Sequence, residues 1–147
     1  MRLINFLIKL LPTKPVFAHC DIPCGIYDPK SAQLAAQTVL KMVNLINELE
    51  PSSDEPPFDE RKRIISQISR LTRVKEDHAE LCKKEILILW TDYFKAEHLQ
   101  TFPELHDLVW KTTKLCSDNK RAVDEDKAQE LEKAVDKIAD IFAQTKK

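Results

Sequence analysis

The sequence predicts an all-α fold, an antiparallel four-helix bundle with an irregular segment at its N-terminus. The 147 residues contain one glycine, Gly25, which nearly excludes Gly-rich phosphate loops, dinucleotide-binding turns and turn-dense β-sandwiches. Apolar residues make up 43% of the chain and charged residues 32%, a balance typical of amphipathic helices with a solvated outer face. The formal net charge of −1 gives no basic excess, so neither nucleic acid nor stable membrane association is expected.

The first predicted helix begins at Asp28-Pro29, where an acceptor side chain precedes a proline at the first helical position. It ends before Pro51, because residues 51–58 hold three prolines and two serines and form the one evident linker. Its apolar residues recur at intervals of four and three, which predicts a core-facing stripe: Ala35, Val39, Met42, Ile46 and Leu49.

The second predicted helix is the longest, with Asp59 as its cap and its end at about Tyr93. Cys82 on this helix and Cys116 on the next are expected to be buried free thiols that pack as small apolar groups. Because His78 falls on the apolar face of this helix, it is expected to be a core histidine. The residues expected to face the core are Leu71, Val74, His78, Leu81, Glu85 and Ile88, with Ile64, Ile65 and Ile68 leading into them.

Two further helices are predicted in the C-terminal half of the chain. Thr101 and Glu104 have the spacing of a capping box at the start of the third helix. The acidic residues 124–126 suit the positive end of a fourth helix dipole. The buried residues predicted for the third helix are Leu105, Leu108, Thr112 and Leu115, and those for the fourth are Ala128, Leu131, Val135, Ile138 and Phe142.

Residues 1–18, MRLINFLIKLLPTKPVFA, are predicted to be a leader that a protease removes. The leader carries three basic residues and no acidic one, and Lys9 interrupts an apolar stretch too short to span a bilayer. Residues 16–18 are typical of a small-residue cleavage site; an interfacial amphipathic anchor that stays attached is the alternative. The predicted mature domain is therefore 19–147, with an irregular hook at 19–27 and four helices over 28–147.

The segment that carries chemistry is residues 19–29, HCDIPCGIYDP, which holds two of the four cysteines and one of the four histidines. A C-x-x-x-C pair alone is more typical of a local disulfide or a chance pair than of a metal site. Cleavage after Ala18 would convert the nitrogen of His19 from an amide into a primary amine with a pKa of about 8. That amine, the His19 imidazole and the thiolates of Cys20 and Cys24 could then reach one ion.

The backbone nitrogen of Cys20 lies between this amine and the Cys20 sulfur, so binding it closes two fused five-membered chelate rings. Displacing an amide proton requires a metal that favours planar nitrogen and sulfur donors. This indicates nickel or copper rather than zinc, which prefers a tetrahedron. Pro23 and Gly25 can supply the chain reversal that brings Cys24 back to the same ion.

The segment 19–29 resembles the nickel-binding hook of the nickel-dependent superoxide dismutase family. Residues 89–95, LWTDYFK, are similar to that family's aromatic segment on the long helix, and residues 103–106, PELH, to its third-helix entry. The resemblance covers essentially all of 19–147. It implies an antioxidant oxidoreductase that converts superoxide to dioxygen and hydrogen peroxide, with one nickel ion per chain alternating between Ni(II) and Ni(III).

The same resemblance implies the roles of the hook residues. The His19 amine, the backbone nitrogen and sulfur of Cys20 and the sulfur of Cys24 would form the equatorial plane, with the His19 imidazole axial in the oxidised state. Tyr27 would be a catalytic residue that lines the approach. Further residues expected to support or cover the hook are Asp21, Pro23, His78, Tyr93 and Lys95.

One departure from the family pattern lies beside the axial imidazole. Better-known members steady it with an acidic residue on the first helix and an arginine on the long helix. The register places Ala35 and His78 at these positions, which cannot reproduce that hydrogen-bonded pair. His78, Gln33 or Gln37 are the candidates to replace it.

The resemblance also implies a homohexamer of right-handed bundles and a processing protease for the leader. The expected location is the cytoplasm, or an exported or organellar one if the leader is a targeting signal. Two other functions stay open from the residues alone. One is a non-catalytic nickel or copper carrier or sensor. The other is a helical adaptor that retains its leader and joins Cys20 to Cys24 in a disulfide.

Overall fold

The computed structural model describes residues 25–146, which fold into α-helices without any β-strand among them. The all-α prediction is therefore confirmed. None of the helices in this range combines the length and apolarity that crossing a bilayer requires. The elements in chain order are α1 (Lys30–Asn47), α2 (Phe58–Ile88), a π-helical turn (Leu89–Tyr93), α3 (Ala96–Thr101), α4 (Leu105–Arg121) and α5 (Glu125–Thr145).

The four long helices form a bundle in which α1 and α4 each pack against both α2 and α5. α2 and α4 run in opposite directions, because Lys83 on α2 donates to the Ser117 hydroxyl at 3.1 Å while Glu80, one turn earlier, binds Lys120 at 2.7 Å. The core face of α1 consists of small residues that let its neighbours approach closely: Ala32, Ala35, Ala36, Val39 and Val43.

α1 begins as predicted and ends earlier. The Asp28 carboxylate accepts the Lys30 amide at 2.7 Å, which satisfies one of the free N–H groups of the first turn. The helix ends at Asn47 rather than at Leu49. Val43 takes the buried position that the sequence pattern assigned to Met42, which is only half-buried.

The start of α2 differs from the prediction. The helix begins at Phe58, no side chain caps it, and Asp59 lies inside its first turn, so the expected Asp59 cap is wrong. The linker is held instead by Ser52, whose amide and hydroxyl donate to the Glu60 carboxylate at 2.8 and 2.6 Å. These two hydrogen bonds place the linker against the first turn of α2.

The predicted buried stripe of α2 is also wrong, since Val74 and Leu81 are 36% and 39% exposed. α2 packs between α1 and α4, and the face toward both neighbours is shifted by about one residue from the apolar pattern. That face includes the charged residue Lys75, which the predicted stripe did not contain. The buried residues of α2 are Lys75, Ala79, Cys82 and Ile86.

Lys75 is the largest buried polar side chain in the described residues, with 1% of its surface exposed. Its ammonium donates to the carbonyl oxygens of Asn119, Lys120 and Ala122, the last at 2.9 Å. These carbonyls lie at the C-terminal end of α4, where the last turn has no intrahelical donors. Burial lowers the pKa of Lys75 below its ordinary value.

Cys82 and Cys116 are buried free thiols, as predicted. They lie on α2 and α4, and a hydrogen bond between the two side chains that favours the protonated form of Cys82, together with burial, raises the pKa of the Cys82 thiol. The Cys82 sulfur is therefore held as a thiol in the core, where it is a poor nucleophile.

The start of α4 has no capping box, so that prediction is wrong. Thr101 is the last residue of α3, a short helix that the sequence did not predict, and its hydroxyl donates back to the Glu97 carbonyl at 3.4 Å. α4 begins at Leu105 without a side-chain cap. Leu105 and Thr112 are buried as predicted, while Leu108 and Leu115 are half-buried.

α5 is the helix that agrees most closely with its prediction. Asp124 caps it by accepting the Lys127 amide at 3.1 Å, and the helix follows from Glu125. All five residues predicted to face the core are buried: Ala128, Leu131, Val135, Ile138 and Phe142.

Candidate metal centre

The described chain begins at Gly25, within the segment predicted to be the hook. Gly25 has φ +92°, in the region that glycine adopts without strain. A Cβ added here would meet nothing within 4 Å, so the backbone angle and not the available space favours glycine. This conformation agrees with the chain reversal expected at Gly25.

Tyr27 packs against Tyr93, with 5.6 Å between the ring centroids and 57° between the ring planes. Tyr27 precedes α1 and Tyr93 ends the π-helical turn after α2. The Thr145 hydroxyl donates to the Phe142 carbonyl at 2.9 Å and lies 3.0 Å from the Tyr93 hydroxyl, which leaves Tyr93 as the donor in that pair. The structure thus joins the first described residues to the ends of α2 and α5.

Tyr93 lies at the centre of a cluster of rings. Its centroid is 4.4 Å from that of Phe142, 5.3 Å from that of Phe94 and 5.7 Å from that of His98, which stacks on it at 28°. Contacts between rings in this distance range stabilise a packed arrangement beyond simple burial. The cluster therefore fixes the position of the Tyr93 ring that Tyr27 contacts.

A π-helical turn sets the direction in which Tyr93 points. The Phe94 amide donates to the Leu89 carbonyl at 2.9 Å, a bond that spans five residues and widens the last turn of the long helix. Such turns are frequent at functional sites. The sequence placed Tyr93 near the end of the long helix but did not predict the π turn.

His98 is a functional-site residue that sequence analysis missed. Its Nδ1 accepts the Lys95 amide at 3.2 Å, which assigns the second ring nitrogen, Nε2, as the one that carries a proton in the neutral imidazole. The side chain is mostly buried, and it closes one side of the ring cluster. α3 is too short for its apolar spacing to have indicated this role.

A surface depression lies where Tyr27 meets the ring cluster. Two lysines and two acidic residues contribute to its wall, so their charges balance and the depression has no strong field of either sign. Lys95, predicted to support or cover the hook, is exposed in this wall. The lining residues are Gly25, Tyr27, Asp92, Tyr93, Lys95, Glu97, His98, Thr101, Phe102, Phe142, Gln144, Thr145 and Lys146.

His78 lies on α2, fifteen residues before Tyr93, which is about 22 Å along the helix. Its Nδ1 is 2.9 Å from the Val74 carbonyl, to which it donates, so one ring nitrogen is already bonded within the helix. It is half-buried and not the core histidine that the apolar stripe favoured. Ala35 is buried and apolar, and the Gln33 amide donates to Asp136 at 2.8 Å.

The predicted metal ligands His19, Cys20 and Cys24, with Asp21 and Pro23, lie outside the described residues. Within residues 25–146, His, Cys, Asp and Glu side chains nowhere gather in a group of three that could hold a metal ion. The donors available just before Gly25 are nitrogen and thiolate groups. This donor set fits a thiophilic metal that accepts planar coordination.

The similarity of this chain to known proteins includes the hook segment. The family profile described as nickel-containing superoxide dismutase matches residues 14–146. The chain is 38% identical over 136 residues to "Superoxide dismutase [Ni]" of Streptomyces coelicolor, covering 92% of this chain and 94% of that protein. It is 39% identical, with the same coverage, to the protein of that name from Streptomyces seoulensis.

Solved structures agree with the sequence relatives. The native nickel superoxide dismutase structure at 1.30 Å superposes with a TM-score of 0.71 at 36% identity, over 88% of this chain and all of that chain. A nickel-containing superoxide dismutase with ligation corresponding to the oxidised state also gives a TM-score of 0.71, at 34% identity over 87% of this chain and 98% of that one.

Proposed function

Because this chain belongs to the nickel-containing superoxide dismutase family, we propose that His19, Cys20 and Cys24 hold its nickel ion. The enzyme disproportionates superoxide to dioxygen and hydrogen peroxide, and nickel is its cofactor. The alternatives of a carrier, a sensor or an adaptor are not supported, since the matched family and relatives are superoxide dismutases.

The observation that carries the proposal is the donor set immediately before Gly25. The family match spans residues 14–146 and so includes this set. Cys20 and Cys24 supply two thiolates, and the amine and imidazole of His19 supply nitrogen donors once the chain begins there. Bound by these anionic donors, nickel supplies the one-electron chemistry that removes an electron from one superoxide and gives one to the next.

The residues around the hook bind and orient the substrate in this proposal. Superoxide is a small anion, so a phenol and backbone N–H groups are sufficient donors and no large cavity is needed. Tyr27 is held by its contact with Tyr93, which fixes the position from which its hydroxyl can donate to the incoming anion. Asp21 and Pro23 are the further hook residues that we expect to support the site, and Lys95 lies in the wall of the depression beside Tyr27.

Three finer features complete the proposal. Removal of residues 1–18 by a protease frees the His19 amine. The chains assemble as a homohexamer that covers the hook, since a short N-terminal segment without cover would fray. The enzyme works in the cytoplasm, with export or an organelle as the alternative if the leader carries a targeting signal.

The test replaces the hook sulfurs one at a time in the processed enzyme. Cys20→Ser and Cys24→Ser are expected to lose nickel, the thiolate-to-nickel absorption and superoxide dismutation, because a serine hydroxyl is a poor ligand at neutral pH. Cys82→Ala is the matched control, because Cys82 is a buried free thiol on α2 and not one of the proposed ligands, and it should keep nickel and activity. A Cys20→Ser or Cys24→Ser enzyme that retains nickel and full activity would contradict the assignment.

A further inference from the structure

The two cysteines outside the predicted hook lie together in the core of the bundle. Cys82 is on α2 and Cys116 is on α4, and both side chains are completely buried. The chain has four cysteines, so this pair and the two hook cysteines are all of its sulfhydryl groups. Cys82 and Cys116 are far apart in the sequence, and the fold brings them to the same part of the core.

The contact between α2 and α4 determines the level at which the two cysteines meet. Lys83 on α2 donates to the Ser117 hydroxyl on α4 at 3.1 Å. Cys82 directly precedes Lys83, and Cys116 directly precedes Ser117. Because the two helices are antiparallel, this register places the cysteines within about 3 Å of each other along the helix axes. Their side chains both turn inward from the two helices.

The two cysteine side chains touch each other. A hydrogen bond joins them, and this bond together with burial raises the pKa of the Cys82 thiol. A thiol is a weak donor and a weak acceptor, so the contact keeps the sulfurs close and protonated in the resting enzyme. Both cysteines are free, which leaves the pair available for oxidation.

We propose that Cys82 and Cys116 are a modification site at which hydrogen peroxide, a product of the enzyme, forms an intrachain disulfide between α2 and α4. One thiolate attacks a peroxide oxygen, the O–O bond breaks, and hydroxide leaves, which gives a sulfenic acid. The other sulfur attacks the sulfenic sulfur, the S–O bond breaks, and water leaves. In sum, two thiols give up two electrons and two protons, and one hydrogen peroxide becomes two waters.

Burial determines both the rate and the product of this oxidation. Peroxide reaches the sulfurs when the core opens locally, and the raised pKa of Cys82 keeps its thiolate fraction small. The disulfide therefore accumulates under sustained peroxide and not in each turnover. Once one sulfur is oxidised, its partner is already in contact while further peroxide is excluded, so the disulfide forms in preference to sulfinic acid.

The disulfide would stabilise the part of the bundle that carries the ring cluster. It closes a loop of about 35 residues, which restricts the unfolded chain. This loop contains the π-helical turn with Tyr93 and α3 with His98. The thermal midpoint of unfolding is expected to rise by roughly 5–10 °C, so the enzyme becomes more resistant to unfolding as its product accumulates.

The test treats the nickel-loaded enzyme with hydrogen peroxide, blocks the remaining thiols and maps tryptic peptides by mass. Trypsin places Cys82 in residues 76–83, Cys116 in residues 115–120 and both hook cysteines in residues 19–30, so the two pairs are measured separately. We expect peptides 76–83 and 115–120 to be joined, with a mass two hydrogens below their sum. The chain should still migrate as a monomer on a denaturing gel without reductant, and a phosphine reductant should separate the peptides.

Two single variants are the matched controls. Cys82→Ala and Cys116→Ala each leave one core thiol and should keep superoxide dismutation, but peroxide should not raise their thermal midpoints as it does for the unaltered enzyme. Enzyme that turns over a steady supply of superoxide should also form the disulfide, and catalase, which removes the peroxide, should prevent it.

Three outcomes would overturn the proposal. They are the absence of joined peptides after sustained peroxide, separate oxidation of the two sulfurs to sulfinic or sulfonic acids, and an equal rise of the midpoint in the single variants. Formation of the disulfide during turnover in the presence of catalase would show that peroxide is not the oxidant. The peptide readout does not depend on which residues bind nickel, so failure of this proposal is distinguishable from failure of the proposed ligand set.

Discussion

Tyr93 connects the bundle to the last residue of the hook, Tyr27, through two separable contributions. Its ring contacts Tyr27 on one side and Phe142 on the other, and its hydroxyl bonds to Thr145. The ring contributes packing and the hydroxyl contributes one neutral hydrogen bond. Because these two contributions differ in size, substitutions that remove one at a time distinguish them.

Removal of the Tyr93 ring is expected to lower activity as well as stability. Tyr93→Ala removes the surface on which Tyr27 rests, so the free energy of unfolding should fall by about 3 kcal/mol. Superoxide dismutation should fall by roughly tenfold or more, since small displacements of a positioned group have large effects on rate. The measurements are denaturant unfolding and superoxide decay with nickel content matched.

Tyr93→Phe is the control, because it keeps the ring and removes only the hydroxyl. It should lose about 1 kcal/mol and keep activity within a few-fold. Thr145→Val should lose at least as much, because it also removes the hydrogen bond to the Phe142 carbonyl, and adding Tyr93→Phe to Thr145→Val should add little. A Tyr93→Ala enzyme as active as Tyr93→Phe would show that the bundle does not position Tyr27.

The residues of this site differ in how far the sequence could predict them. Tyr27 and Tyr93 were identified through the family resemblance, since nothing in their spacing brings two residues from distant segments together. His98 was missed because α3 has six residues, too few for an apolar period to be recognised. Contacts between short segments depend on the tertiary fold, which local patterns do not encode.

At the scale of whole elements, Lys75 holds the end of α4 against α2. Its ammonium donates to carbonyls of the last turn of α4 and of Ala122, which leads into α5. The Asn119 carbonyl is buried and would otherwise lack this donor, and the carbonyls of Lys120 and Ala122 are partly buried. The lysine therefore stabilises the junction at which α4, α5 and α2 meet.

Lys75→Met is expected to lower the free energy of unfolding by about 2 kcal/mol, because buried carbonyls lose their donor. Lys83→Met is the matched control. Its ammonium bonds to the Ser117 hydroxyl between the same two helices at 3.1 Å, but it is less buried, so its loss should be smaller. Equal unfolding free energies for Lys75→Met and the unaltered enzyme would show that the hydrogen bonds of Lys75 do not stabilise the junction.

The difference in unfolding free energy between the unaltered enzyme and Lys75→Met is expected to depend on pH. Burial lowers the pKa of Lys75 below its ordinary value of 10.5, so holding the charged form in the fold is costly at neutral pH. Between the lowered pKa and 10.5 the folded chain has released a proton that the unfolded chain still binds, so stability rises with pH. The advantage of the unaltered enzyme over Lys75→Met should therefore grow as the pH rises through this window, measured by denaturant unfolding, and a shrinking advantage would contradict it.

The helices also differ in how well the sequence predicted them, because some of their buried positions depend on tertiary contacts. α5 was predicted in full, because its apolar face is continuous and an aspartate precedes it as a cap. α2 was predicted with the wrong buried face, because Lys75 occupies a core position while Val74 and Leu81 do not. A buried charge matched to a helix end is a tertiary arrangement, and hydrophobic spacing carries no signal for it.

At the scale of the whole molecule, the proposed site depends on where the polypeptide begins. An N-terminal amine binds a metal through its lone pair, whereas the nitrogen of a peptide bond before His19 is an amide. Residues before His19 would therefore remove one donor and displace the imidazole beside it. The bundle, with its own core and caps over residues 28–146, does not depend on this step.

Two proteins that differ by one residue test this dependence. A chain that begins at His19 should bind one nickel and dismutate superoxide, while a chain that begins at Ala18 should bind nickel more weakly by more than roughly tenfold and lose most of its activity. Both should unfold at the same denaturant concentration when nickel is absent, because the core residues of the described chain begin at Ala32, well after the altered amine in the sequence. Full activity in the chain that begins at Ala18 would show that the His19 amine is not a ligand, and a lower metal-free stability would show instead that the added residue disturbs the fold.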